Sequence, residues 1–186
     1  MFAAGQGRRF GSDKRFAELS SGLPLWRQSL SVLLAAGLPV TLVVRPGEQI
    51  RFIAELPASA AARVTVFGAP RAHEGLGGAI ASTITTVTAD AVLIALGDMP
   101  WLEPATVRAV AAQLVHHPIV VPQLGDQPGH PVGFQRQLYP ELAALTGDRG
   151  GRAIVERHAD LVRRLPLSDR GIIRDIDRPG DLNRER

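Results

Sequence analysis

The stretch Asp90-Ala91-Val92-Leu93-Ile94-Ala95-Leu96-Gly97-Asp98-Met99-Pro100 decides how the chain folds. Residues 90–96 form an almost unbroken apolar run of strand length, stopped by a Gly-Asp turn and a proline. A strand that is apolar on both sides belongs in a sheet covered on both faces. Working outward, helical periodicity occupies residues 76–87 before the strand and 104–116 after it. Beyond those helices lie apolar strands at 63–67 (RVTVF) and 117–121 (HPIVV). Upstream come helices at 25–36 and 49–56 around a strand at 38–44 (LPVTLVV). Strands that alternate with helices specify an α/β protein: a three-layer, Rossmann-like sandwich with a mostly parallel sheet.

The pattern changes after residue 121. Residues 122–134 (PQLGDQPGHPVGF) are rich in Gly and Pro and read as a loop or irregular hairpin. Helices are expected at 140–145 and 152–158, a strand at 161–165, a strand-like run at 172–176, and a short helix over 179–184. Residues 1–4 are short for the strand that must launch the following glycine loop. Either that strand is stunted or the start lies a few residues upstream.

The chain has 186 residues, 45% hydrophobic and 21% charged, values that suit a buried core. No apolar run reaches bilayer-spanning length, and residues 1–5 lack the long apolar stretch of a secretory signal. The absence of cysteine removes disulfides and thiolate metal sites and fits the cytoplasm. A net charge of +3 without a dense basic cluster argues against a nucleic-acid partner. Scattered arginines suit small phosphorylated ligands better. Among 21 basic residues Lys14 is the one lysine, and it stands in a glycine-rich loop, where a compact ammonium has a use.

Three motifs carry chemistry. Gly5-Gln6-Gly7-Arg8-Arg9-Phe10-Gly11-Ser12-Asp13-Lys14 lets backbone N–H groups approach phosphate oxygens, while Arg8, Arg9 and Lys14 offset their charge. Its spacing is neither that of a Walker A loop nor that of the dinucleotide fingerprint, and a surface turn would read the same way. Asp98 ends an apolar strand, where ligands of open α/β sheets bind, and its carboxylate can hold Mg²⁺ against a triphosphate; it would serve equally as a turn former before Pro100. Asp175 and Asp177, two residues apart, share one side of an extended segment and can complete a metal site with Asp98, or form a solvated acidic turn. Further loops frame a pocket. The N–H groups of Gly75, Gly77 and Gly78 open a helix and can meet an anion or a base, unless they only pack that helix closely. Residues 129–134, with His130 and Pro131, and residues 147–152, with Asp148 and Arg149, can shape an acceptor site. The remaining histidines show no metal spacing.

In order, residues 2–14, Gly75-Leu76-Gly77, Gly97-Asp98-Met99-Pro100, Gly129-His130-Pro131-Val132, Gly147-Asp148-Arg149-Gly150 and Asp175-Ile176-Asp177-Arg178-Pro179 resemble the molybdenum cofactor cytidylyltransferase group of the MobA-like NTP-transferases. The resemblance spans nearly the whole chain. It implies a single nucleotidyltransferase domain over 1–186, with a nucleotide-binding part (1–121) and an acceptor-binding, metal-completing part (122–186). It implies transfer of CMP from CTP to the phosphate of molybdopterin, with release of pyrophosphate and dependence on Mg²⁺. Ala3, Ala4, Gly5, Gly7, Arg8, Arg9, Gly11 and Lys14, with Gly75, Gly77 and Gly78, would bind the nucleotide. Lys14, Arg9 and Asp98 would be catalytic, and Asp98, Asp175 and Asp177 would hold the metal. His130, Pro131, Asp148 and Arg149 would meet the acceptor. Ala4, where the guanylyltransferase branch usually has a second glycine, favours CTP over GTP. The chain departs from the family pattern at Phe10, often methionine there, and at Ala72-His73-Glu74, often an asparagine and an aromatic. Other readings are a guanylyltransferase, an NTP transferase for a sugar phosphate or another phosphorylated metabolite, and an inert nucleotide-binding accessory protein that serves a molybdoenzyme or its chaperone.

Overall fold

The computed structural model describes residues 1–5, 7 and 10–183. Two parallel strands, β1 (Val40–Val44) and β2 (Val64–Gly68), lie on one side of the molecule. On the other, β3 (Ala91–Ile94) pairs antiparallel with β6 (Val132–Gln135), and β6 pairs antiparallel with β4 (Ile119–Leu124). Outside β4, β7 (Val162–Pro166) runs parallel to it, and the two-residue β5 (Gln127–Pro128) forms a short hairpin with its end. Residues 1–3 join the two halves. Phe2 bridges both Val43 and Leu96 in parallel, Ala3 N–H donates to Val43 O at 2.8 Å, and Gly97 N–H donates to Phe2 O at 2.9 Å. Phe2 thus stitches the centre of the sheet, bridging both halves.

Helices cover both faces. Along β1 the side chains alternate: Val40, Leu42 and Val44 join one core, and Val43 packs on the opposite side with Ala69 and Ala79. The first core takes Trp26, Leu30 and Leu33 from α1 (Leu25–Ala35) and Val107 from α4 (Pro104–Gln113), together with Phe52 of α2 (Gln49–Ala54). The opposite face is filled from α3 (Leu76–Ile84), α5 (Tyr139–Ala143) and α6 (Arg152–Arg157), whose Ile80, Ile84, Leu142 and Ile154 meet Phe134 and Ile94. Each fully buried large aliphatic side chain contributes about 1.5–3 kcal/mol, so these two layers fix the sheet before any polar contact is counted. The three-layer α/β class expected from the strand pattern is the one observed.

Of the two readings of residues 122–134, the irregular hairpin is the one observed: β4 continues to Leu124 and turns into β5, and β6 returns through the middle of the sheet, antiparallel to its neighbours. The glycine there marks close approach and not a break. A Cβ on Gly133 would stand 2.7 Å from Leu114 Cδ1, so the bare backbone lets the end of α4 sit directly on the sheet. The run at 172–176 is not a strand. A 3₁₀ turn spans Arg170–Ile173, capped by Asp169, whose carboxylate accepts from Gly171 N–H at 2.7 Å and from Glu103 N–H at 2.9 Å. A Cβ on Gly171 would meet Trp101 O at 2.2 Å, so this turn is pressed against the segment that follows Asp98.

Candidate active site

The glycine loop leaves the sheet after Ala3 and Ala4, both buried. Gly7 (φ 58°) and Gly11 (φ 80°) hold left-handed conformations that side-chain-bearing residues adopt only with strain. The loop ends at Asp13, whose carboxylate caps the 3₁₀ turn Lys14–Phe16. Lys14 and Arg15 then point to different partners.

The Lys14 ammonium uses all three of its donors: to Asp98 Oδ2 at 2.8 Å, to Ile176 O at 2.8 Å and to Asp177 Oδ1 at 3.2 Å. Burial alone would lower its pKa, but the charge of Asp98 and the bonds to Asp98 and Asp177 outweigh it, and the group stays charged above its ordinary range. Arg15, only 4% exposed, also uses all five of its donors. It bonds Asp13 Oδ1 (2.7 Å) and Oδ2 (2.6 Å), Glu48 Oε2 (2.6 Å) and Oε1 (2.7 Å), and Ala3 O (2.9 Å). Burial would raise the carboxyls of Asp13 and Glu48, yet the Arg15 bonds and charge hold both below the usual carboxylate range.

Asp98 follows β3 through Gly97, where a Cβ would sit tightly, 3.0 Å from Phe2 O and 3.1 Å from the Ala3 Cβ. The carboxy-terminal segment reaches it from the other end of the chain: Ile176 N–H donates to Asp98 O at 2.9 Å, and the Ile176 side chain is fully buried among Phe10, Leu19 and Leu25. Asp98, Asp175 and Asp177 each place one carboxylate oxygen within 4.8 Å of the others. Burial, and next the charge of Asp98, raise the Asp175 carboxyl above its ordinary value, as expected where carboxylates crowd. Asp98 Oδ1 is buried with no hydrogen-bond partner among the described residues. An unpaired buried carboxylate oxygen beside two further carboxylates fits a hard divalent cation.

A cleft of about 620 Å³ opens here. Of the expected nucleotide residues, Ala3, Ala4, Gly5, Gly7, Lys14 and Gly75 line it, together with Asp98 and Asp177. Arg8 and Arg9 lie outside the described residues. Gly11 is exposed. Gly77 and Gly78 are buried, and their smallness serves packing. Gly77 N–H donates to Gly147 O at 2.7 Å, and its Cβ would stand 2.5 Å from Thr146 O. A Cβ on Gly78 would stand 2.3 Å from Arg71 O. The helix start is thus keyed into the 146–148 loop, and the Gly77 N–H is spent on protein. The expected acceptor residues are divided. Asp148 lines the nucleotide cleft against Gly75, while Arg149 is exposed and paired with Glu156 at 2.8 Å. Pro131 is buried. His130 donates its backbone N–H to Ile172 O; burial lowers its imidazole pKa, and the charge of Asp98 opposes that. Arg15 and Glu48 were not legible in advance. Their partners stand 33 residues apart with no motif linking them, and only the unusual Lys-Arg pair closing the loop hinted at them.

A glycine loop above a cleft beside Asp98 at the carboxyl end of β3, with a half-buried lysine and three gathered carboxylates, defines a nucleotidyltransferase. The chain belongs to the family with the MobA-like NTP transferase domain, whose sequence model matches residues 1–162. No curated protein matches it in sequence. Among solved structures it is similar to Rv0371c from Mycobacterium tuberculosis H37Rv, with 26% identity, 97% of this chain and 92% of that one covered, and a TM-score of 0.79. A manganese complex of Rv0371C matches with 25% identity over 89% and 85% of the two chains, at a TM-score of 0.71. Two more distant structures share the fold. The inositol-1-phosphate CTP transferase from T. maritima has 16% identity, coverage of 98% and 89%, and a TM-score of 0.74. The molybdopterin-guanine dinucleotide biosynthesis protein A from Archaeoglobus fulgidus has 19% identity, coverage of 97% and 92%, and a TM-score of 0.70.

Proposed function

We propose that the chain, acting as one nucleotidyltransferase domain in the cytoplasm, transfers CMP from CTP to the terminal phosphate of molybdopterin, releases pyrophosphate, and supplies a molybdoenzyme or its chaperone. The observation that carries this reading is the meeting of Lys14, Asp98 and Asp177, from three distant parts of the chain, at the wall of the cleft beneath the glycine loop, with the exposed Asp175 carboxylate within 4.8 Å of the other two acids. Ala4, at a position where guanylyltransferases carry glycine, favours CTP.

Asp98, Asp175 and Asp177 would hold a divalent ion, Mg²⁺ on this reading, and the manganese complex of Rv0371C supports a divalent site in the family. Bound there, the ion supplies positive charge against the oxygens of the triphosphate. The glycine loop presents backbone N–H groups to the same phosphates, and Gly5, Gly7 and Gly75 leave the wall free of side chains. Lys14 supplies a fixed ammonium at the acid cluster and ties the carboxy-terminal acids to Asp98. Arg9 is assigned a second positive charge on the loop. In the reaction an oxygen of the acceptor phosphate attacks the α-phosphorus, the bond to the β-phosphate oxygen breaks, and pyrophosphate leaves with that oxygen. A phosphate monoester with a second pKa of about 6 is already dianionic near neutral pH. No strong general base is needed, and catalysis is positioning plus electrostatics.

The test is pyrophosphate release with CTP, GTP and ATP, each offered molybdopterin, inositol 1-phosphate or a sugar phosphate with Mg²⁺ present. Turnover with CTP and molybdopterin is expected. Turnover only with GTP, or only with a different acceptor, replaces this assignment. Nucleotide binding without any product would make the chain an accessory protein.

A further inference from the structure

We propose that Arg15 is the positioning residue of the phosphate-binding loop: its guanidinium locks both ends of the glycine loop to the sheet and so fixes where the triphosphate lies. The role rests on the nucleotidyltransferase reading above and adds a residue to it.

The geometry is that of a clamp. Arg15 bonds Ala3 O, where the chain leaves the sheet; Asp13, where the loop ends; and Glu48, in the corner between β1 and α2. Arg45 extends the clamp, donating to Gly5 O at 3.1 Å and lying 3.7 Å from both Asp13 and Glu48. Both edges of a loop with two left-handed glycines are therefore held by one network centred on the buried Arg15, with Asp13, Glu48 and Arg45 half-buried around it. Glycines make such a loop conformationally free, so its phosphate-facing N–H groups are placed only if something else orders them. Arg15 also lines the cleft and directly follows Lys14, so the bonds that hold Arg15 set where the Lys14 backbone sits. Stability alone is a poor explanation. Burying the Arg15 guanidinium carries a desolvation cost of several kcal/mol, and an apolar side chain of similar volume packs about as well. Phe16 and Phe52, whose rings lie within 5.7 and 5.3 Å of the guanidinium, already supply an apolar setting. What only a planar, five-donor fork can do is join three segments in one fixed geometry.

The experiment uses the full chain with Arg15→Lys, and Glu48→Gln as a milder second variant. Lysine keeps the charge but offers three donors for five acceptor atoms and no planar fork. Three readouts are taken: CTP affinity by calorimetry with Mg²⁺, kcat and KM by pyrophosphate release, and Mn²⁺ binding by electron paramagnetic resonance without nucleotide. Both variants are expected to weaken CTP binding, to raise KM, and to lower kcat/KM by about 100-fold for Arg15→Lys, the scale of a misplacement near 1 Å. Mn²⁺ binding should fall less than CTP affinity, because Arg15 reaches the metal carboxylates through its neighbour Lys14, which bonds Asp98 and Asp177. A purely structural role would lower the melting temperature and leave the KM and CTP affinity of the folded fraction unchanged, and that result overturns the proposal. If Arg15→Lys fails to fold, Glu48→Gln decides by the same criteria. A wild-type chain that binds none of CTP, GTP or ATP refutes the proposed function, and the clamp's role with it. A wild type that binds CTP beside variants that bind it equally well refutes the clamp alone.

Discussion

Gly77→Ala separates stability from function at this site. In the structure a Cβ at residue 77 would stand 2.5 Å from Thr146 O, where ordinary van der Waals contact begins at 3.4 Å, so the 146–148 loop must retreat by about 0.9 Å. Three effects compete. Overpacking costs about 1–3 kcal/mol. Stretching the bond from Gly77 N–H to Gly147 O costs about 1 kcal/mol. Alanine in place of glycine in the first turn of a helix returns up to about 1 kcal/mol. The net loss is about 1–3 kcal/mol. At roughly 2–4 °C per kcal/mol for a chain of this size, the variant melts lower but is folded at 25 °C. Function should suffer more. Gly75 and Asp148, which line the cleft on either side of this contact, move apart, and a shift near 1 Å in a positioning wall costs about 100-fold in rate. The assay is kcat/KM by pyrophosphate release beside a thermal melt of the same preparation. A Gly77→Ala enzyme with wild-type kcat/KM would refute the assignment of this wall to the nucleotide.

Asp98→Ala and Lys14→Ala should each lose nearly all turnover while remaining folded by circular dichroism, and Asp98→Ala should also lose Mn²⁺ binding measured by electron paramagnetic resonance. Ile176→Ala removes a fully buried side chain and should cost about 2–5 kcal/mol. Hydrogen exchange should show the loss concentrated in residues 170–177, and Mn²⁺ affinity should fall because Asp175 and Asp177 are carried by that segment. Glu48→Gln tests the charge network through pH. The folded Glu48 carboxyl lies below its unfolded value of about 4.3, so its contribution is present above that pH and disappears as pH falls through the lower folded value. Urea denaturation should therefore find the variant less stable than wild type at pH 7, with the gap closing below about pH 4; an equal gap at pH 7 and pH 3 would contradict the ion-pair account.

Much of the fold was legible because it rests on local chemistry. The runs at 38–44 and 90–96 are nearly continuous apolar stretches, and a segment of that kind has few places to go except a covered sheet. The run at 172–176 was misread as a strand because Ile172 and Ile176 are apolar. Those isoleucines are buried beneath a turn and not along a ladder. At the site, Asp98, Asp175 and Asp177 stood out as acidic ends of apolar runs. Gly77 and Gly78 stood out for their smallness, and of the two uses offered for it, close packing of the helix start is the one the contacts display.

By itself the sequence determined the residue types at the ends of its apolar segments: glycines and a lone lysine after residues 1–4, an aspartate after the run at 90–96, and paired aspartates at 175 and 177. Backbone freedom, charge and hydrophobic period are properties of short segments. Only the tertiary structure decided that Lys14 reaches Asp98 and Asp177, 84 and 163 residues away, and that Arg15 fastens the loop through Glu48. Those meetings depend on which helices cover which face of the sheet, and the burial of Ile176, Trp26 and Phe134 sets that arrangement through the whole chain at once.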